Sequence, residues 1–333
     1  MLFLVGLGGA GSKIVEGFYR KNLGSIIGRL ASREEQDVAG VAIDTSQALS
    51  SLTSIPIENR VLIGKSLTKG HGTGGDVDLG RRILTEEHEL AIAALAKAGF
   101  GGAKAVFLIT GLGGGTGTGG FPVLADKIRK AFDVPIYGIV TIPSRSEGAL
   151  YSKNASENFS HIHKSAAGLV VVDNSGPATR GEVVDKAFKK INAAVRDFLR
   201  GFDTRTLLKA LKGDVATIGV VQAKAEPTAL KDLTSRLLRN DVYFPLEKFK
   251  RIYAVVRGDR GKIYGERFAQ EWIRSKYNAE LRFTAVGSEN PRKISMYTLI
   301  TGITGLRERL AVEAKTKKVS SELESLLKDI KSL

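Results

Sequence analysis

Two glycine-rich runs hold the clearest chemistry in this 333-residue sequence. The first, Gly6-Leu7-Gly8-Gly9-Ala10-Gly11-Ser12, follows an apolar segment at 2–5. The second, Gly113-Gly114-Gly115-Thr116-Gly117-Thr118-Gly119, follows an apolar segment at 105–110. A phosphate chain is bound by backbone N–H groups at close range. Glycine permits that approach and tolerates positive φ, and a helix starting directly after the loop adds positive potential. Both runs show the order strand, glycine loop, helix. Taken alone, the first is the Gly-x-Gly-x-x-Gly fingerprint of a Rossmann-type NAD enzyme. That reading asks for an acidic residue about 20 positions on, at the end of the second strand, and Asp44 comes later than that. A Rossmann enzyme also has no need of a second phosphate cradle after its fourth strand. Gly64-Lys65-Ser66 ends like a Walker loop, but Asn59 stands where the first glycine is required and 61–63 reads as strand, so no P-loop is expected.

The elements that must position these loops alternate. Residues 38–43 read as a strand ending at Asp44, and 61–63 as another. A glycine-rich loop at 70–76 leads into a helix reaching about Ala98. The first helix is expected to start near Ser12, with Ile14, Val15 and Phe18 on one face. A further helix is expected to begin at Pro122. Residues 136–142 and 168–172 are continuous apolar runs. Such strands, alternating with helices and lacking polar alternation, predict a parallel sheet covered on both faces. Residues 182–202 repeat apolar residues at helical spacing. Further on, 216–222, 251–256, 281–286 and 294–300 read as strands, with helices near 227–239 and 264–277. The terminal stretch 306–333 reads as a helix packing on its own domain. The expected division is a nucleotide-binding domain over 1–180, a central-helix region over 181–208, a smaller α/β domain over 209–305, and the terminal helix.

Composition bounds the function. Hydrophobic residues make up 43% and charged residues 26%, as in a globular protein. Without cysteine there is no disulfide scaffold, thiol nucleophile or cysteine-held metal. No apolar run approaches the roughly 18 residues of a membrane helix, and the short apolar start does not read as a signal peptide, so a cytoplasmic location is expected and the sequons at Asn154 and Asn158 are read as chance. His161 and His163 read as a surface strand or loop pair, not metal ligands. The net charge is +15, but residues 1–150 carry only +2 and 151–333 carry +13. Such an excess is either a solvated surface or a face for an acidic partner, an anionic membrane or nucleic acid.

The second glycine loop resembles the signature loop of the tubulin/FtsZ superfamily, and its Thr-Gly-Thr form is nearer to FtsZ. Other segments follow the same order. Gly8, Gly9, Ala10, Gly11, Ser12 and Lys13 are similar to the family's first loop. Asp44 and Thr45, within Ile43-Asp44-Thr45-Ser46-Gln47, resemble the second, where the acid lies near phosphate and metal. Gly72, Thr73, Gly74 and Gly75 resemble the third, which senses the γ-phosphate. Gly113 to Thr118 would wrap the phosphates. Glu147 would accept from the ribose, Asn174 would lie near ribose and base, and on the central helix Phe188 would stack on guanine while Asn192 reads its edge. The resemblance implies a tubulin/FtsZ-type α/β fold, GTP or GDP with Mg²⁺, and head-to-tail self-assembly, with cell division as the family's default process.

The pattern departs from the family at several points. Lys13 replaces an asparagine that meets the nucleotide, Tyr151 an arginine, and Ser144 a phenylalanine. The central helix is expected to be shortened after Asn192. Of the two acids, three apart, that relatives insert into a neighbour's site, Asp203 matches the first, and Thr206 stands in place of the second. Asp203 reads equally as a catalytic acid and as a helix N-cap. The expectation is therefore a filament-forming GTPase with weak hydrolysis; the alternatives are a non-polymerising nucleotide switch or scaffold and, further off, the NAD enzyme. No flexible tail or terminal partner-binding peptide of the family is expected.

Overall fold

The apolar segments assemble into one mostly parallel sheet of ten strands. A computed structural model describes residues 2–24, 38–287 and 292–304, with Leu306 and Leu310. The strands are β1 (Leu2–Leu7), β2 (Val38–Asp44), β3 (Arg60–Leu62), β4 (Val106–Gly111), β5 (Ile136–Ile142), β6 (Gly168–Asp173), β7 (Val215–Lys224), β9 (Arg251–Arg257), β11 (Glu280–Val286) and β12 (Lys293–Thr301). Their order is β11-β9-β12-β7-β6-β5-β4-β1-β2-β3, and β12 alone runs antiparallel to its neighbours. Two short segments, β8 (Thr228–Ala229) and β10 (Ile263–Tyr264), form a separate parallel pair. Because β1, β4, β5 and β6 are buried on both faces, they carry unbroken apolar runs instead of alternation.

Helices cover both faces. α1 (Gly8–Gly24), α6 (Val184–Gly201) and α7 (Thr204–Leu211) pack Ile14, Phe18, Ile191, Phe198 and Leu207 into one apolar layer. α3 (Val77–Lys97), α4 (Gly115–Phe132), α5 (Ala149–Ser165), α8 (Leu230–Arg236) and α9 (Glu266–Tyr277) supply the other, through residues such as Ile83, Phe121, Phe159, Leu233 and Ile273. The remaining helix, α2 (Lys65–Thr68), is a single turn entered from Gly64. The sheet is continuous across its middle, where Leu169 pairs with Val215 and Val170 with Ala216. That seam is short, and α6 and α7 lie across it. α6 alone, at about 1.5 Å per residue, is roughly 27 Å long.

Several boundaries differ from the sequence reading. α1 starts at Gly8 and not near Ser12. α4 starts at Gly115, so Pro122 lies inside the helix instead of opening it. In both cases the glycines themselves form the first helical turn, because they let the helix start against a neighbouring backbone. Gly11 shows the limit: a Cβ there would overlap Ile109 O in β4. His161 and His163 lie in α5, not in a strand or loop, and the His163 ring stacks on Phe159 at 6.0 Å. The terminal helix expected over 306–333 falls outside the described residues except for Leu306 and Leu310, both buried. Among the described residues no helix is long and apolar enough to cross a membrane.

Candidate functional site

The site forms where the carboxyl ends of β1, β2 and β4 meet the starts of α1, α3 and α4, the place where an open parallel sheet leaves a crevice. Thr116, in the first turn of α4 and 6% exposed, is its hub. Its Oγ1 lies 2.7 Å from Thr45 Oγ1 after β2 and 3.5 Å from Thr73 Oγ1 before α3. The segment after β2 and the 70–76 loop are also joined directly. Gln47 N–H donates to Gly70 O at 2.8 Å, Gly72 N–H to Thr45 O at 3.3 Å, and Thr68 Oγ1 to Thr45 O at 3.1 Å. The first loop closes the group: a Cβ on Gly8, whose φ is +72°, would sit 3.3 Å from Gly117 N. Four loops far apart in sequence thus converge.

The glycines divide by task. Gly114 and Gly74 face open space, and Gly9 has only Asp44 Oδ2 within reach of a Cβ, at 3.8 Å. These three leave room for a ligand. By contrast, a Cβ on Gly115 would overlap Asp76 O and Thr73 Oγ1, and one on Gly117 would overlap Thr110 Oγ1. Those glycines bring α4 against α3 and β4. Gly75 meets Leu150, Gly113 meets Tyr151, and Gly72 is loosely surrounded. Thr118 is spent on the loop, accepting from Gly113 N–H at 2.8 Å. α4 has no side-chain cap at Gly114, so the N–H groups of its first turn remain for an anion. Ala10 lies in the equivalent turn of α1 and Ser12 directly after it. Ser12 Oγ is buried without a hydrogen-bond partner, an orphan that a phosphate oxygen would satisfy.

Asp44 is the acid of this cluster, 6% exposed. Its Oδ1 accepts from Thr45 N–H at 2.7 Å and Ser46 N–H at 3.4 Å. Burial raises its carboxyl pKa above the ordinary 3.8, opposed by those two amides and by the positive charge of Lys13. Lys13 is exposed, one helical turn beyond Gly9. Among the described residues no group of three or more His, Asp or Glu is arranged to hold a metal. One carboxylate with neighbouring hydroxyls does fit Mg²⁺, which keeps most of its shell as water and substrate phosphate.

Beside the loops lies a cavity of about 450 Å³, lined by Glu147, Asn174, Thr179, Glu182 and Ala187 among others. The turn after β5 is a capping box: Ser144 N–H donates to Glu147 Oε1 at 2.6 Å. Asn174 Nδ2 donates to the same oxygen at 2.9 Å, while Asn174 Oδ1 is buried with no partner. The cavity therefore has the Glu147 carboxylate and the Asn174 side chain in its lining, groups suited to the hydroxyls and N–H groups of a nucleoside. Phe188 and Asn192, on α6, are half-buried and stand outside this lining. Asp203 is far along the chain at the N-cap of α7, where it accepts from Thr206 N–H at 2.9 Å. Burial raises its pKa, but the hydrogen bonds from Thr206 and the Arg205 amide and the Arg205 charge outweigh this and hold it low. Sequence reasoning missed Asn154, buried in α5 and bonded to both Gly75 O and Gly113 O. Its place in a sequon was a distraction, and no spacing rule marks it.

Comparison with known proteins agrees with this geometry. A family model described as the tubulin/FtsZ family GTPase domain matches residues 1–176. Tubulin-like protein CetZ2 of Haloferax volcanii is 31% identical over 245 residues, 68% of this chain and 64% of that protein. CetZ1 of the same organism is 35% identical over 197 residues, 58% of this chain and 48% of its own length. The matched segments thus span about half to two thirds of these relatives. The solved GDP-bound monomer of CetZ1 superposes with a TM-score of 0.80 at 27% identity, covering 95% of this chain and 99% of that one. A GTPγS-bound protofilament of CetZ2 gives 0.77 at 25% identity with the same coverage.

Proposed function

The chain belongs to the tubulin/FtsZ family, and on that premise we propose that it is a cytosolic guanine-nucleotide-binding protein that assembles head-to-tail into filaments. The observation that carries the reading is the meeting of four loops at Thr116 beside the cavity of Glu147 and Asn174. The free amides at the start of α4 and the Ser12 hydroxyl would bind the phosphate chain. Glu147 would accept from the ribose and Asn174 Oδ1 from the sugar or base. Phe188 and Asn192 would bound the base from α6. Asp44 and Thr45 would hold Mg²⁺, which supplies charge neutralisation to the phosphates. The family match removes the Rossmann NAD alternative.

Self-assembly is supported by the surface around the site. Leu150 and Tyr151 lie against Gly75 and Gly113, Val183 stands between the cavity-lining Glu182 and Val184, and Leu67 precedes the 70–76 loop; all are exposed large apolar residues, four of the eight among those described. A rim of that kind is costly in water and suits a protein partner. A second reading, a nucleotide switch that turns over slowly, is favoured by Asp203. Its Oδ1 caps α7, and Thr206, three residues on, carries no charge. The deciding experiment is to identify the nucleotide that copurifies, then to measure GTP turnover and sedimentation against protein concentration. Expected are bound guanine nucleotide, GTP-dependent pelleting, and slow turnover that rises with concentration. Absence of guanine nucleotide binding overturns the reading; binding without pelleting in GTP or GTPγS leaves the switch.

A further inference from the structure

We infer that Asn154 is a positioning residue that holds the 72–76 loop closed over the end of the phosphate chain, and so favours a nucleoside triphosphate over a diphosphate. The inference rests on the guanine-nucleotide reading above. Asn154 is 7% exposed on α5. Its amide nitrogen has two hydrogens, and the structure uses both: one goes to Gly75 O and one to Gly113 O, each at 2.7 Å. Gly75 and Gly113 have φ of +88° and +134°, conformations that L side chains rarely adopt. Their carbonyls are thus aimed at one side chain by backbone that glycine makes accessible.

The two carbonyls belong to different parts of the site. Gly113 is in the turn before α4, fixed again by Thr118. Gly75 ends the loop that carries Thr73, whose hydroxyl reaches Thr116 in the first turn of α4. No residue of 72–76 lines the cavity that holds Glu147 and Asn174. The loop's contact with the site is instead through Thr73 at the first turn of α4, so with the sugar in that cavity the loop would meet the nucleotide at its phosphate end. α5 itself starts directly after the Glu147 turn. Asn154 thus ties the loop at the phosphate end to the helix that starts at the sugar end. Removing its donors leaves two buried carbonyls unpaired, which pushes the loop outward to find water.

The test displaces a fluorescent GDP from wild type, Asn154→Ala and Asn154→Leu with unlabelled GDP and GTPγS. The leucine keeps asparagine's branched heavy-atom skeleton, is bulkier and leaves no cavity, so it serves if the alanine variant does not fold. Expected is a loss of GTPγS affinity about tenfold larger than the loss for GDP, with faster hydrogen exchange of the 72–76 amides. A folded variant whose GTPγS-to-GDP ratio equals that of wild type overturns the inference, because a merely structural role would weaken both nucleotides equally. Failure of wild type to bind either nucleotide would instead overturn the functional reading.

Discussion

Asp44 shows how a single residue is held at odds with stability. Burial lifts its pKa above the ordinary 3.8 although two amides and Lys13 favour the charge. A raised native pKa means that protonation contributes stability which is fully present below the ordinary value and is lost as pH rises through the native one. Asp44→Asn keeps the oxygen that accepts from Thr45 and Ser46 and removes the charge. The ligand-free variant is therefore expected to melt higher than wild type at neutral pH, with the difference vanishing in acid. A thermal melt series from pH 3 to pH 8 checks this, and a variant that melts lower at neutral pH would show the carboxylate to be structurally needed. The same variant should bind GTP less well in Mg²⁺, since the deleted charge is the one proposed to hold the metal.

At the scale of the element, the glycines of α1 and α4 separate what helix propensity says from what packing decides. An interior helical glycine ordinarily costs up to about 1 kcal/mol relative to alanine. Gly17 in α1 has nothing within 4 Å of a would-be Cβ, so Gly17→Ala should stabilise by about 0.5–1 kcal/mol. Gly119 in α4 faces Val77 O and Arg81 N of α3, and the same change there should destabilise by about 2 kcal/mol or more, as overpacking does. Urea midpoints measure both, and equal effects would refute the division of labour among the glycines. Pro122 belongs to the same lesson. The sequence rule places proline at a helix start, but α4 begins seven residues earlier, at Gly115, because the glycine run packs as helix.

For the whole molecule, the question is what the rim and the charge are for. The glycine loops sit in the nearly neutral first half, and 151–333 carries +13. Between Arg180 and Lys212 stand nine basic residues against four acidic ones, on and around α6 and α7. Val183, 64% exposed beside the cavity, is the cleanest probe of the rim. Val183→Glu is expected to abolish GTP-dependent sedimentation where wild type pellets, while GDP affinity stays within about threefold. Unchanged pelleting would remove the rim from the interface. Wild-type sedimentation that falls steeply with added salt would assign the basic half to an electrostatic contact; insensitivity to salt would return it to solvated surface.

The sequence by itself determined the architecture and the chemistry class. Continuous apolar strands, a glycine loop after the first and fourth, and an acid at Asp44 are local patterns, and each marks its own element without needing a partner. Strand limits came within one or two residues for the same reason. Only the tertiary structure decided how the loops share the work. It spent Gly115 and Gly117 on packing and Thr118 on the loop, and left Gly9, Gly74 and Gly114 open. Asn154 became a clamp between carbonyls 79 and 41 residues away, and Asp203 an N-cap. Such roles depend on which groups remain unpaired after the chain has closed on itself, and contacts between distant segments leave no periodicity along the sequence to read.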